Sequence, residues 1–321
     1  MGAWPQRAAR MMRYSCMSSG SRKAVALALI ANGGIALSKF AVFALTRSSS
    51  LLTEAIHSSA DCANQVLLFI GMEQGKIGPT RKHPLGRGQA AFVASFLVAL
   101  LLFTVGGLYS VIEGVHKILH PEVPHHLGWA IALLLFATGL EGYSMLGALK
   151  ASAQERRGRG LLHYVRTSSS TELVVILAED FAALVGLVLA LTAVLLTLFT
   201  GNPLWDGIGS VAIGLLLITV AAFVATEVTS LLLTEAPPLV LRAAIREAVE
   251  EDPAVDHVMN LIAVIIGSDK LMVALQVQFK AQPSGDALAE AINTMERSLR
   301  SRFPHIRHLF VEPDLEERDP Y

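Results

Sequence analysis

The stretch Leu51–Gln65, LLTEAIHSSADCANQ, decides the fold because it places polar and ionisable residues inside an apolar segment that continues to Met72. In an α-helix these residues fall at i, i+3, i+7, i+10 and i+11 and form one polar stripe: Glu54, His57, Asp61, Asn64 and Gln65. Such a stripe is energetically costly in a membrane helix and faces a bundle interior or a wet cavity. His57 and Asp61 lie one turn apart on one face, so their side chains can reach the same divalent cation.

The composition of the chain is that of a membrane protein. Apolar residues make up 53% of the 321 residues and charged residues only 17%, whereas a soluble domain carries about 25% charged residues. The formal net charge is −1, so a nucleic acid is not an expected partner. The two cysteines, Cys16 and Cys62, are too few for a disulfide framework or a thiolate metal site.

Six apolar segments are long enough to cross a bilayer, because a membrane-spanning helix needs about 20 residues. None of them is a secretory signal peptide, since each is too long and further hydrophobic segments follow. The sequence therefore predicts an α-helical membrane protein with six transmembrane helices, at Ala24–Leu45, Leu51–Met72, Ala90–Ile118, Leu127–Leu149, Leu173–Phe199 and Ile208–Leu233.

Lysine and arginine in the loops give the orientation of these spans, because basic loops stay on the cytoplasmic side. The loops after the second and fourth spans are basic: Lys76, Arg81, Lys82, Arg87, Lys150, Arg156, Arg157, Arg159 and Arg166. The alternate loops are poor in basic residues, so both termini are expected in the cytoplasm. The outer side carries histidines that we interpret as part of a solvated loop, with weak collection of released cation as the alternative: His116, His120, His125 and His126.

The N-terminal tail, residues 1–23, is basic, and the first acidic residue of the chain is Glu54. Such a leader is typical of a mitochondrial presequence. It is also typical of a cytoplasmic tail that follows the positive-inside rule, or of a start assigned too early, with Met17 as the true first residue. We favour the cytoplasmic tail together with the early start. The Ala- and Leu-rich chain with a short tail indicates a bacterial inner membrane, and the basic leader leaves an organelle membrane as the alternative.

After the last span the pattern changes to that of a small mixed domain. Pro237-Pro238 ends the membrane part, because consecutive prolines terminate a helix. A turn is predicted at Gly267-Ser268-Asp269 and a helix cap at Ser284. The predicted elements are a helix at Leu239–Glu251, strands at His257–Ile266 and Leu271–Lys280, a helix at Asp286–Arg302 and a strand at His308–Glu312.

These elements predict a small cytoplasmic α+β domain with one sheet and two helices on one of its faces. The predicted domain organisation is then a basic tail, a six-helix transmembrane domain, a cytoplasmic domain and an acidic tail, at residues 1–23, 24–236, 237–314 and 315–321.

The fifth span contributes further carboxylates, in the stretch TELVVILAEDFAALVG. Glu172 and Asp180 are eight residues apart and share a helix face, whereas Glu179 is turned about 100° from Asp180. The alternative to metal binding is that these groups are protonated or paired inside the bundle.

A zinc-like cation takes about four ligands in a tetrahedron. His57 and Asp61, with one or two carboxylates of the fifth span, would supply them. The remaining polar groups are expected to orient ligands, pack helices or replace a ligand: Glu54, Asn64, Gln65 and Glu172.

Four stretches resemble the cation diffusion facilitator family, in the right order along the chain: ANGGIALSKFAVFALTRSSSLLTEAIHSSADCANQ, RKHPLGRGQ, LFTVGG and WDGIGSVAIGLLL. The resemblance covers about Lys23 to Glu312. It implies six membrane helices, a cytoplasmic ferredoxin-like domain, a homodimer, and export of Zn²⁺ or a related divalent cation in exchange for protons. It also implies two ligands from the second helix and two from the fifth, each pair four residues apart. The second-helix pair matches His57 and Asp61.

The fifth helix departs from the family pattern. With the family's aspartate at Asp180, Ile176 stands in the histidine position, and isoleucine cannot bind a metal. Glu179 or Glu172 would then replace the histidine, or the site would have three protein ligands and water. A Glu-Asp pair followed by small residues resembles a divergent branch that includes vertebrate zinc transporter nine. Zn²⁺ is therefore the expected cation, and the missing histidine makes Mn²⁺ the alternative, because harder cations prefer oxygen ligands.

Two accessory metal sites of the family are eroded in this sequence. In the loop after the second span, His83 remains with Arg87 where the family often has a second histidine. In the cytoplasmic domain, Glu312 matches the final carboxylate, but Phe310 stands in the histidine place. His83 and Glu312 are therefore weak candidates for accessory metal binding.

The sequence thus predicts a proton-coupled efflux transporter for Zn²⁺ that works by alternating access and carries no bound cofactor. Its expected partners are the cation, protons, the lipid bilayer and a second copy of the chain. One alternative is a regulatory or scaffold member that transports poorly, as Ile176 suggests. Another is an intramembrane hydrolase, but no H-E-x-x-H or G-x-S-x-G motif lies in a span, so the chain is not expected to be an enzyme.

Overall fold

The computed structural model describes residues 17–46, 49–121, 127–156, 160–161, 164–165, 171–281 and 284–315. The basic tail before residue 17, the outer histidines His125 and His126, the loop arginines Arg157, Arg159 and Arg166, and the tail from residue 316 lie outside these ranges. The chain divides into two compact units, one of Ser18–Gln74 with Ala90–Thr229, and one that joins Gly75–Gln89 to the chain from Ser230 onward.

The first unit is built from long helices, each of which overlaps a predicted span. Their apolar residues lie on every face, which is the pattern of a helix surrounded by lipid and by other helices. The helices are α1 Met17–Thr46, α2 Ser49–Gly75, α3 Ala90–Leu119, α4 Leu127–Arg156, α5 Thr171–Thr200 and α6 Leu204–Leu232.

Four helices within the described residues are long and apolar enough to cross a membrane: Ala90–Leu119, Ala130–Ala153, Leu173–Thr200 and Leu204–Leu232. In α1 the described apolar stretch is the shorter Ala24–Ser38, and α2 carries the polar stripe. The predicted class, a helical membrane protein with a small C-terminal sheet domain, is confirmed, and the count of six spans stays a prediction.

Helices α3 and α6 pack backbone against backbone through glycines. A Cβ atom on Gly114 would lie 2.7 Å from the Val211 nitrogen and 2.9 Å from the Gly207 oxygen. One on Gly214 would lie 2.8 Å from the Gly107 oxygen. Such distances are below normal contact, so only glycine fits at this interface, as is common where membrane helices approach closely. The two helices are antiparallel.

Near the middle of α3 the residues Leu102–Leu108 adopt a π-helical turn. A π-turn inserts one extra residue and leaves backbone groups without their usual α-helical partners. The Ser110 hydroxyl donates to the Gly106 carbonyl at 2.6 Å, and the Thr104 hydroxyl donates to the Leu100 carbonyl at 2.9 Å. These side chains satisfy backbone oxygens around the irregular turn.

Helices α1 and α4 are also antiparallel neighbours. A Cβ atom on Gly34 would touch the Leu140 side chain, whereas one on Gly147 would overlap the Leu27 side chain.

The second unit contains a three-stranded sheet with two helices. Its elements are α7 Leu239–Glu250, β1 Val255–Gly267, β2 Lys270–Phe279, α8 Gly285–Arg302 and β3 Ile306–Pro313. The strand order is β1-β2-β3; β1 and β2 are antiparallel, while β2 and β3 are parallel. A parallel pair needs a crossover, and α8 provides it. This is the α+β arrangement that the sequence predicts.

One face of the sheet is buried under the two helices. Val273, Leu275 and Val277 alternate along β2 with half-buried neighbours, so their side chains all enter one core with those of Ile245 in α7 and Leu299 in α8. Period-two burial on a strand and an apolar stripe on each helix fit the layered α+β domain that the order of elements predicts.

The predicted turn and the predicted helix cap both form at the ends of these elements. Asp269 adopts a φ of 63° in the β1–β2 turn, a conformation that Asp tolerates better than most residues. The Ser284 hydroxyl caps α8 by accepting from the Ala287 N–H at 3.2 Å. These observations confirm the predicted turn and the predicted cap.

The loop Gly75–Gln89, which follows α2, folds against the β1–β2 hairpin. The Lys270 ammonium donates to the Gly75 carbonyl at 2.5 Å and so caps the last residue of α2, where a cation is favoured. A Cβ atom on Gly88 would overlap the Ile266 oxygen, and one on Gly267 would lie 2.7 Å from the Gly88 Cα. Backbone meets backbone at this point, so both glycines are required.

We expect the sheet domain to lose stability as the pH falls from 7.5 to 5.5, because of His305. Burial is the main cause that lowers the pKa of its imidazole below 6.5; the nearby Arg307 guanidinium adds to the effect, and a hydrogen bond to the Asp269 backbone opposes it. The unfolded chain then takes up a proton more readily than the folded one. The stability is complete above pH 6.5 and is lost as the pH falls through the folded pKa.

Hydrogen exchange of the β2 and β3 peptides in the full-length protein, corrected for intrinsic rates, would measure this loss. The His305→Gln variant should show a smaller loss of protection on acidification. A matched control is His308→Gln in β3, which should behave as wild type. Equal pH dependence of all three proteins would contradict the role given to His305.

Candidate functional site

Helices α2 and α5 are joined inside the bundle by two amides and a carboxylate. The Asn64 side chain donates from Nδ2 to Oε1 of Glu179 at 3.2 Å, and the Gln65 side chain donates from Nε2 to Oε2 at 2.7 Å. All three residues are buried, with Gln65 fully enclosed. Hydrogen bonds to a carboxylate are strong where water is excluded, so this contact fixes the register of the two helices.

The neighbouring residue of α5, Asp180, faces a different helix. Its Oδ2 accepts from the Ser144 hydroxyl of α4 at 3.0 Å, and both residues are almost completely buried. Adjacent residues of a helix are turned by about 100°, which explains why Glu179 meets α2 while Asp180 meets α4. The Ser144 bond holds one carboxylate oxygen and so orients the group.

His57 and Asp61 occupy α2 one turn apart, but their side chains lie outside the described part of the structure, as do those of Glu54 and Glu172. The helix backbone nevertheless fixes their faces. Position 61 precedes Asn64 and Gln65 by three and four residues, so it shares the helix face that meets α5.

Ile176, one turn before Asp180, is fully buried and offers only hydrocarbon. Among the described residues no three His, Cys, Asp or Glu side chains converge on one point. Each accessory candidate is described by a local hydrogen bond: the His83 backbone N–H donates to the Thr80 hydroxyl, and Glu312 accepts from Gln276 at 3.3 Å on the exposed sheet face. The metal roles of His83 and Glu312 stay predictions.

Sequence reasoning missed two buried polar residues of α4, Ser144 and Glu141. Glu141 is only 9% exposed, although it lies within a membrane span. It is the only charged residue between Leu127 and Leu149, and an ionisable residue within a span is a functional candidate by default. That signal was available in the sequence. The role of Ser144 was not, because a serine in a membrane helix can simply bond to its own backbone.

Chemically, the described groups form an oxygen-rich, dry environment around α2, α4 and α5. Carboxylate oxygens suit both Zn²⁺ and harder divalent cations. The amides fix the orientation of the Glu179 carboxylate, and the Ser144 hydroxyl fixes that of Asp180. In metal sites, contacts of this kind orient the ligating groups.

A family model described as the cation efflux transmembrane domain matches residues 25–233. Among curated proteins, the proton-coupled zinc antiporter SLC30A9, mitochondrial, of Homo sapiens is 30% identical over 94% of this chain and 60% of its own length. Metal tolerance protein C4 of Arabidopsis thaliana is 29% identical over 86% of this chain and 61% of its own length. The manganese efflux system protein MneP of Bacillus subtilis is 27% identical over 36% of this chain. The chain thus spans about three fifths of the first two relatives.

Proposed function

The chain belongs to the cation efflux family, and from that premise we propose that it is an integral membrane transporter that exports Zn²⁺ in exchange for protons. The single observation that carries this proposal is the set of buried carboxylates in apolar spans, Glu179 and Asp180, held by polar groups of α2 and α4. Buried ionisable groups within a span are costly and mark an ion pathway.

We place the cation between α2 and α5, with His57, Asp61 and Asp180 as ligands. Position 61 shares the face of α2 that meets α5, and Asp180 offers its second oxygen. Glu179 stays a candidate ligand, although both of its oxygens accept from amides. Because both oxygens are engaged, Glu179 is better suited to hold α2 and α5 together than to coordinate the cation directly and permanently.

Zinc is supported as the cargo by the imidazole of His57 and by relatives that are zinc antiporters. Manganese is the second candidate, supported by the oxygen-rich ligand set and by the manganese relative over part of the chain.

Protons are proposed as the exchanged ion because metal ligands must lose their protons to bind and regain them on release. Cation entering from the cytoplasm would displace protons from His57 and the carboxylates. Outward opening would then let protons return and release the cation. An imidazole suits this exchange, since its ordinary pKa is about 6.5.

The membrane in which the protein works and its assembly also belong to the proposal. Basic inner loops favour a cytoplasmic location for both termini. We propose a bacterial inner membrane, with an organelle membrane as the alternative because the vertebrate relatives are mitochondrial. A homodimer is proposed from the family resemblance.

Uptake of zinc and manganese into proteoliposomes under an imposed pH gradient would test the proposal. We expect zinc uptake above that of empty liposomes, abolished by collapse of the gradient and by His57→Ala or Asp61→Ala. Metal uptake that does not depend on the pH gradient would rule out proton exchange. A manganese flux larger than the zinc flux would identify Mn²⁺ as the transported cation.

The second candidate function is a regulatory or scaffold member that moves little metal. One observation favours it: Ile176, fully buried, stands where a metal-binding residue could have been. Correctly folded protein that moves no metal above empty liposomes, and whose partner complexes survive His57→Ala, would support this reading.

A further inference from the structure

Two histidines lie next to each other at the end of α3 that the loop charges place on the outer side of the membrane. His116 is in the last turn of the helix, and His120 is the residue directly after its end. The His120 backbone N–H donates to the His116 carbonyl at 2.8 Å, so the two residues keep α-helical spacing. Their ring centroids are 4.9 Å apart, and the ring planes are inclined by 30°.

This spacing suits a transition-metal cation. Residues four apart on a helix are neighbours on one face, and two histidines at i and i+4 are an arrangement that binds zinc. Imidazole nitrogen is a preferred ligand of Zn²⁺. Both His116 and His120 are exposed, so a cation can reach the two rings from the aqueous side. Water can fill the coordination positions that two histidines leave open.

The charges near this pair also favour a cation. Glu113 precedes His116 by three residues and His120 by seven, so it shares their helix face. Lys117 is paired with Asp206 at the start of α6, where the ammonium nitrogen and the carboxylate oxygen are 2.9 Å apart. The positive charge of this turn is therefore neutralised. The end of α3 itself carries partial negative charge, because the last carbonyls of a helix point outward there.

The two histidines would hold a cation only loosely. Within the described ranges no group of three His, Cys, Asp or Glu side chains is arranged to hold a metal, so the protein supplies two ligands here rather than the three or four of a permanent zinc site. A site with few protein ligands can take up a cation and release it again. This property suits a brief stop at the outer surface.

We propose that His116 and His120 form an outer site for Zn²⁺, which holds the cation after its release and before it diffuses away. The inference rests on the proposed function for the identity of the cation and for the side of the membrane. The ability of the two rings to bind zinc depends on the geometry of α3 alone and can be measured separately.

Zinc binding by the purified full-length protein would test this site. Equilibrium dialysis would count the bound zinc in the wild type and in Asp180→Asn, in which the transport site is expected to be lost. In both proteins, addition of His116→Gln should weaken the binding of one zinc per chain about 100-fold, because a single imidazole cannot chelate. The matched control combines His116→Gln with Val115→His. It restores the number of histidines but places the new ring about 140° from His120 around the helix, so it should bind zinc as weakly as His116→Gln.

Equal zinc binding by the wild type and His116→Gln would overturn the outer site and leave the transport proposal intact. Wild-type binding in the Val115→His control would also overturn it, because the helix spacing would then be irrelevant. Loss of one zinc in His116→Gln, from a wild type that moves no zinc into proteoliposomes, would support the histidine site and overturn the proposed function. If His116→Gln does not fold, His120→Gln takes its place with the same expected result.

Discussion

Replacement of Asp180 by asparagine is expected to reduce gradient-driven zinc uptake to the level of empty liposomes. Asparagine keeps the shape of the side chain and can still accept from Ser144, but it removes the charge that a divalent cation needs in a dry site. The carboxylate is almost fully buried, so no solvent group can replace it. Uptake by Asp180→Asn would be measured in proteoliposomes that contain a zinc indicator.

The Ser144→Ala variant tests the same carboxylate with a smaller expected effect than Asp180→Asn. It leaves the carboxylate in place but removes the bond of 3.0 Å that orients it, so we expect about 10- to 100-fold weaker zinc affinity. Ser152→Ala in the same helix is a matched control, because the Ser152 hydroxyl bonds to the Leu149 carbonyl of its own helix. Equal zinc uptake by Asp180→Asn and wild type would exclude Asp180 from the site.

The second large effect is expected at the interface of α3 and α6. Leucine at Gly114 would place its Cβ against the Val211 nitrogen and the Gly207 oxygen, both within 2.9 Å. Backbone atoms cannot rotate away, so the helices must separate. Overpacking costs about 1–3 kcal/mol even in adaptable cores, and we expect at least the upper end of this range, with a melting temperature lowered by about 5–10 °C.

Thermal unfolding in detergent, followed by size-exclusion chromatography, would measure the change. The control is Gly139→Leu on α4, where a Cβ atom meets nothing within 4 Å. A Gly114→Leu protein as stable as this control would show that α3 and α6 are not packed at glycine contact. Gly114→Ala should fall between the two, because it adds the Cβ alone.

Sequence reasoning could predict the features whose signal lies within one segment. Apolar length predicted the membrane helices. The Gly-Ser-Asp turn predicted the boundary between β1 and β2, and Ser284 predicted the start of α8. The polar residues of α2 and α5 were selected by the cost of placing them in a span. In each case the decisive residues are close together in sequence.

Features that depend on two distant segments could not be predicted in this way. Nothing in the sequence of α4 says that Ser144 meets Asp180, because this depends on how two helices are rotated about their axes. The glycines of α3 and α6 were visible, but their mutual contact was not. The pairing of Glu179 with Asn64 and Gln65 required the same three-dimensional information. The sequence alone therefore could not decide whether Glu179 binds the cation or joins α2 to α5.

The contact between Lys270 and the end of α2 also sets an order of events during synthesis. Lys270 and Gly75 are 195 positions apart, so the loop Gly75–Gln89 leaves the ribosome long before the hairpin that it contacts. At about 5–20 residues per second this interval lasts on the order of 10–40 s. Until the hairpin is made, the Gly75 carbonyl lacks its bond from Lys270 and Gly88 lacks its contact with Ile266 and Gly267. A chain that stops before β1 therefore cannot fix either end of this loop.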